Sequence, residues 1–105
     1  MSTDRLEALK AILEQNPAHT FARYGLAMEY ANHGHLEEAV GEFSKLLEAD
    51  PKYAAAYYHY GRTLEKLDRI DEARAVLENG IRLTTETGDT HTRSELQAAL
   101  ELLGI

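Results

Sequence analysis

The sequence predicts an all-α protein of about six helices in antiparallel pairs. Three observations support this fold class. Proline recurs at Pro17 and Pro51, each time behind an amide or an acid. Apolar residues recur at spacings of three and four, the period of an α-helix with one buried face. Turn-forming residues separate these apolar segments, as in residues 32–35.

The shift that carries Pro17 onto Pro51 superimposes one part of the chain on the next. The matched positions agree in character: Leu9 with Phe43, Ile12 with Leu46, Leu26 with Tyr60, Ala39 with Ala73, and Phe43 with Leu77. A repeat of this length is typical of stacked helical units. We therefore interpret residues 1–105 as one domain. It contains a half-repeat helix over 4–16, one repeat over 20–53, a second over 54–87, and a C-terminal capping helix over 90–103.

Each repeat is predicted to contain two helices joined by a short turn. Gly34 is placed to adopt positive φ after the first helix of the first repeat. Pro51 follows the second helix and cannot continue it, because proline has no backbone N–H. Ala39 and Ala73 are expected where the paired helices cross, since a larger side chain would force the helices apart.

The repeat resembles the tetratricopeptide repeat (TPR) family, in particular its small bacterial-type members. The second repeat reads Tyr57-x-x-Tyr60-Gly61-x-x-Leu64 and then Ala73-x-x-x-Leu77; the first reads Arg23-x-x-Leu26-Ala27-x-x-Tyr30, then Ala39-x-x-x-Phe43 and Pro51. The resemblance covers nearly the whole chain. It implies a right-handed α-α superhelix, the TPR solenoid.

Three residues depart from the family pattern. Arg23 replaces a large aromatic residue, Gly80 replaces alanine, and Thr85 stands where a closing proline is expected. The missing proline predicts a looser link over residues 84–89. Beyond it, Thr92 and Glu95 have the spacing of a capping box, which predicts that they cap the start of the last helix.

The composition excludes several function classes. The chain has 105 residues, a formal charge of −7 and no cysteine. An acidic surface repels phosphate backbones, so nucleic acid is disfavoured as a partner. No apolar run approaches the roughly 20 residues of a membrane helix. The N-terminus turns charged at once, unlike a secretory signal. We therefore predict a cytoplasmic protein with no membrane contact.

The resemblance also implies where a ligand binds. In this family the first helix of each pair lines a concave groove. Carried over by repeat position, the groove residues are Phe21, Tyr24, Met28, Asn32, Ala55, Tyr58, His59, Arg62, Glu65, Lys66, Arg93, Leu96 and Leu100. Aromatic rings supply rigid contact area, and Arg62 and His59 suit a carboxylate or a carbonyl. For Phe21, Tyr24, Met28 and Tyr58, packing between repeats is the alternative role.

Other site chemistries have little support. Some relatives clamp a terminal carboxylate, but of the matching residues only Arg93 has suitable chemistry, and Asp89 would repel the ligand. His33 and His35 flank one glycine, whereas a selective metal site needs three or four converging ligands. No phosphate-binding glycine loop or Gly-x-Ser-x-Gly motif occurs. We predict no cofactor, no metal and no enzymatic activity.

The predicted function is that of a scaffold or adaptor that binds a peptide or helix of a partner protein in the groove. Two alternatives remain. The first is a small acidic chaperone for an exported or assembling client, because certain secretion chaperones share this fold, size and charge. The second is a self-associating structural module, in which the helix over 4–16 finds its missing partner in a second copy and forms a homodimer.

Overall fold

In the computed structural model, residues 3–104 form six helices and no strand. The helices are α1 (Thr3–Gln15), α2 (Thr20–Asn32), α3 (Leu36–Ala49), α4 (Ala54–Lys66), α5 (Ile70–Thr87) and α6 (Thr90–Glu101). Met1, Ser2 and Ile105 lie outside the described residues. No helix within residues 3–104 is both long and apolar enough to cross a bilayer.

The chain divides into two compact units, α1–α3 up to residue 51 and α4–α6 from residue 52. The assignment of one domain with its repeat boundaries stays a prediction. Both Ala39 in the first unit and Ala73 in the second are fully buried, as expected for residues at a close approach of helices.

In the first unit, α2 packs against both α1 and α3. Leu6 and Leu13 of α1 form one apolar cluster with Ala22 and Leu26 of α2. An ion pair between Arg5 Nε and Glu29 Oε1, 2.9 Å apart, joins the same two helices. The core on the α3 side contains Phe43, which is 0% exposed.

In the second unit, α6 packs on both α4 and α5. Leu77, Leu96 and Ala99 form the buried cluster. Glycine allows α4 and α5 to approach closely, because a Cβ at Gly61 would lie 2.5 Å from Leu77 Cδ2. At Gly80 a Cβ would lie 2.7 Å from Tyr57 Cβ, so the departure from alanine at this position has a steric reason.

The turns between paired helices have a similar backbone conformation in the two units. Gly34 has φ +80°, as the sequence predicts. Asp68, which stands at the matching position of the second repeat, has φ +60°. Aspartate tolerates this left-handed conformation better than most residues with a side chain. Both units therefore use the same backbone conformation at the same repeat position.

The prediction of a loose link over residues 84–89 is wrong. Helix α5 continues to Thr87 and ends at Gly88, which has φ +77°. Without a proline at position 85, the backbone donors remain available, and the helix extends. Thr84 is fully buried, and its hydroxyl donates to the Gly80 carbonyl at 2.9 Å.

The predicted capping box at the last helix is also wrong. Helix α6 begins at Thr90, and its N-cap is Asp89. The Asp89 carboxylate accepts a hydrogen bond from the Thr92 N–H at 3.1 Å. Hydrogen bonds from the Thr92 side chain and from this backbone N–H lower the pKa of the Asp89 carboxyl group. The acid one position before the helix thus caps it, as acids at N-caps do.

Candidate functional site

One face of α2 carries the four residues that the sequence assigns to the groove in the first unit. Phe21, Tyr24, Met28 and Asn32 follow one another at intervals of three and four, so they share one side of the helix. Phe21 is 72% exposed. Tyr24 and Met28 are half-buried, and Asn32 is exposed at the end of α2. We call these four residues the α2 face.

Tyr24 lies between the core and the surface. Its ring meets Phe43 edge-on, with 6.5 Å between the ring centroids and 63° between the planes. Edge-to-face pairs of this kind stabilise both rings by their complementary charge distribution. Tyr24 is therefore a fixed platform, whereas Phe21 projects into solvent.

In the second unit, Tyr58, Arg62 and Glu65 form an ordered array along α4, which we call the α4 array. Arg62 Nη1 donates to the Tyr58 hydroxyl at 3.2 Å, and Arg62 Nε donates to Glu65 Oε1 at 2.9 Å. The guanidinium carbon lies 6.0 Å from the centre of the Tyr58 ring. Both hydrogen bonds hold the Arg62 side chain in one orientation, which lowers the entropic cost of binding a ligand.

His59 adjoins this array. Its ring meets the Tyr58 ring at 5.1 Å and 86°. Burial lowers the pKa of His59, since it penalises the imidazolium form. Glu95 of α6 acts against this shift, while Lys66 and Arg62 lower the pKa further. Together, α4 and α6 present cations and anions side by side, with a histidine whose pKa lies below its usual range.

The lowered pKa of His59 predicts a pH dependence of stability. The unfolded chain, with a histidine pKa near 6.5, takes up the proton at higher pH than the folded chain does. The free energy of unfolding should therefore fall as the pH drops from about 6.5 through the lowered pKa of the folded state. His59→Gln should remove this part of the dependence in urea titrations at a series of pH values. An unchanged pH profile in that variant would contradict the assignment.

The assignment of Leu96 to the groove is corrected by the structure. Leu96 is 0% exposed and belongs to the buried cluster with Leu77 and Ala99. Leu100 is half-buried and packs against the same cluster. Leu96 is an apolar side chain on the packed face of α6, and burial keeps it out of reach of a ligand.

The remaining assigned residues differ in accessibility. Ala55 and Lys66 are exposed, whereas Glu65 and Arg93 are half-buried. The Nε atom of Arg93 is buried and donates to no partner among the described residues. No cluster of three or more metal-ligating side chains occurs within residues 3–104.

The first unit contains a charge pair that was not predicted from the sequence. Arg23 Nη1 donates to Glu42 Oε1 at 2.6 Å, and the two side chains are 15% and 16% exposed. The matching positions of the second repeat hold Tyr57 and Val76. The signal was a paired departure, because an arginine and a glutamate replace two apolar residues at matching repeat positions.

Helix pairs repeated at a fixed interval define a helical repeat protein, a class that presents extended surfaces to other molecules. Residues 30–87, over half of the chain, match the family model described as tetratricopeptide repeat. The chain belongs to the tetratricopeptide repeat family.

Similar proteins agree with this membership. A TPR repeat-containing protein of Pseudomonas aeruginosa is 26% identical over 93% of each chain. The solution structure of a TPR domain protein from Salinibacter ruber is 39% identical, with a TM-score of 0.77 over 84% of this chain and 89% of that one. The translocator chaperone SycD of the Yersinia enterocolitica type III secretion system shares the fold at 17% identity, with a TM-score of 0.89 over 96% of this chain and 70% of that one.

The predicted fold class is confirmed by these structural neighbours, which are TPR helical solenoids. The fold implies protein–protein interaction, and proteins of this family are generally non-catalytic scaffolds.

Proposed function

We propose that this protein is a cytoplasmic adaptor that binds a peptide or helix of a partner protein through the α2 face and the α4 array, which the family pattern assigns to a concave groove. The array of Tyr58, Arg62 and Glu65 is the observation that carries the proposal. Tyrosine and arginine are the residue types that dominate the binding energy of protein interfaces. On α4 they are fixed in place before any partner arrives.

The chemistry of the two faces suits different parts of a partner segment. Phe21 offers an exposed ring, and Met28 offers an adaptable apolar contact. Arg62 offers further guanidinium N–H groups to a carboxylate or carbonyl, since its hydrogen bonds to Tyr58 and Glu65 use only two of its five donors. An apolar anchor of a partner segment would suit the α2 face, and an acceptor group would suit Arg62.

The double variant Tyr58→Ala/Arg62→Ala tests the proposal. We expect it to fold with somewhat lower stability, because Tyr58 is half-buried and packs against the buried cluster of the second unit, and to lose the partner by about tenfold or more in affinity. The partner is first captured from the native cytosol with the wild-type chain, and its affinity is then measured with purified proteins by calorimetry.

Arg82→Ala is the matched control. Arg82 also lies on a helix surface and also binds a nearby side chain on its own helix, since it donates to Asn79 Oδ1 at 2.7 Å. Its truncation should leave partner affinity unchanged. Equal affinity of the wild type and the Tyr58→Ala/Arg62→Ala variant would rule out the α4 array as the binding surface.

The likeness to SycD favours a chaperone as the second candidate function. SycD is a translocator chaperone, and the formal charge of −7 here would keep such a protein soluble while it shields a client. A chaperone binds its client before the client folds or is exported. If the partner binds only when it is unfolded, the chaperone function would therefore be favoured over the adaptor function.

Self-association through α1 is the third candidate. Ile12 is 42% exposed and does not belong to the apolar cluster that α1 forms with α2. Covering this isoleucine with a second copy would bury apolar surface. Light scattering over a range of concentrations decides between a monomer and a homodimer.

A further inference from the structure

A cavity of about 300 Å³ opens on the first unit, and none of the residues assigned to the groove contributes to it. All three helices of the unit contribute to its wall: Lys10, Leu13 and Glu14 from α1, Arg23, Leu26 and Tyr30 from α2, and Glu42 from α3. We call it the three-helix cavity. Its size is at the lower end of those that receive ligand groups.

The three-helix cavity lies on the opposite side of α2 from the α2 face. Because an α-helix turns by about 100° per residue, Arg23, Leu26 and Tyr30 point about half a turn away from Phe21 and Met28. A molecule in the cavity therefore would not compete with one bound to the α2 face. The cavity is therefore a candidate binding site separate from the α2 face.

The base of the cavity is apolar. Leu13 is 9% exposed and Leu26 is 4% exposed, and Tyr30 packs against the cluster that contains both. Such a surface favours a large apolar side chain over a water-filled or charged occupant, because covering it removes apolar area from water.

Two of the four charged residues around the cavity neutralise each other. Arg23 binds Glu42 at 2.6 Å and also donates to the Pro17 carbonyl at 2.9 Å. These contacts hold the guanidinium in place, and the matching position of the second repeat holds Tyr57 instead. The charge pair thus forms a fixed part of the cavity wall.

The other two charged residues are available to a partner. Lys10 is half-buried and Glu14 is exposed, one turn apart on α1. Neither forms an ion pair with any residue of the range 3–104. The entrance to the apolar base therefore offers one cation and one anion on side chains whose Cβ atoms are about 6 Å apart.

We propose that the three-helix cavity is a second docking site, which receives one large apolar side chain of a partner helix that carries, beside this side chain, an acidic residue and a basic residue one turn apart. The acid pairs with Lys10 and the base with Glu14. The complementary charges select the partner, and the apolar anchor supplies most of the affinity. The site allows the protein to join two partners, or two segments of one partner.

Three synthetic helical peptides of about 20 residues test this site. Each carries a central phenylalanine and, beside it, two charged residues one turn apart, which are Glu and Lys, Glu and Glu, or Lys and Lys. Binding is measured by NMR titration, from the chemical shifts of the Leu13 and Leu26 methyl groups and the Tyr30 ring. The wild-type chain should bind the Glu/Lys peptide about two- to fivefold more tightly than either other peptide.

Charge variants should redirect this preference. Lys10→Glu should prefer the Lys/Lys peptide, and Glu14→Lys should prefer the Glu/Glu peptide. The Tyr58→Ala/Arg62→Ala variant should bind like the wild type, which separates this site from the α4 array. The same peptide ranking in the wild type and both charge variants, or unshifted Leu13, Leu26 and Tyr30 signals, would overturn the proposal.

The second repeat supplies a variant that fills the cavity. Arg23→Tyr combined with Glu42→Val copies Tyr57 and Val76 of the second repeat. It should remain folded by circular dichroism and lose the phenylalanine peptide. Full affinity in that variant would overturn the proposal, as would a dimer in solution that Lys10→Glu dissociates, because the occupant would then be a second copy of this chain.

Discussion

Phe43→Ala should lower the free energy of unfolding by about 3–5 kcal/mol, a large part of the roughly 5–15 kcal/mol available to a domain. Phe43 is 0% exposed, and Tyr24 packs edge-on against its ring. Removing the ring leaves a cavity in the core and takes away the support of Tyr24. Urea unfolding followed by circular dichroism measures the loss.

Phe21→Ala is the matched control for this prediction. Phe21 is 72% exposed, so its truncation should change the free energy of unfolding by no more than about 0.5 kcal/mol. It should instead weaken a partner that binds the α2 face. If Phe43→Ala were as stable as Phe21→Ala, the packing of α3 against α2 would be other than described.

The spacing between Pro17 and Pro51 predicted the fold because both units meet the same structural requirements. Each pair of helices must bury one apolar stripe and reverse direction in a short turn. Gly34 and Asp68 both adopt positive φ in the turn, and Ala39 and Ala73 are both fully buried. A pattern that constrains the chain twice at the same interval leaves few alternative folds.

The predictions for the link after the second repeat and for Leu96 were wrong. Helix α5 runs through residue 85, because a threonine there does not remove a backbone donor as a proline does. The carry-over by repeat position placed Leu96 in the groove, since position 62 in the preceding copy is a half-buried arginine. At the last helix, burial of an apolar side chain outweighs repeat position.

The charge pair of Arg23 and Glu42 could not be predicted from either residue alone. An arginine at a position where the family has an aromatic residue indicates no ion pair until the acidic residue that binds it is known. Glu42 lies far along the chain on α3, and only the folded unit brings the two within 2.6 Å. Pairwise comparison of matching repeat positions is the signal that would have found both the ion pair and the cavity beside it.

Leu96→Ala distinguishes the two roles that the sequence allowed for this residue. A fully buried leucine truncated to alanine costs about 2–5 kcal/mol, because transfer energy is lost and a cavity remains. The effect should appear in the free energy of unfolding, since Leu96 joins α6 to Leu77 of α5. Loss of α6 packing would also expose Tyr57 and Tyr58, which contact this cluster, so tyrosine fluorescence should report the same transition.

Leu102→Ala provides the comparison. Leu102 has the same side chain and lies directly after α6, but it is 61% exposed. Its truncation should leave stability within about 0.5 kcal/mol of the wild type. If Leu96→Ala behaved like Leu102→Ala in urea and instead lost a partner, Leu96 would line a binding surface. Leu96→Ala alone should instead lower the free energy of unfolding by several kcal/mol. Its partner affinity should be preserved under conditions in which both proteins are folded. This result would establish α6 as the helix that closes the core of the second unit.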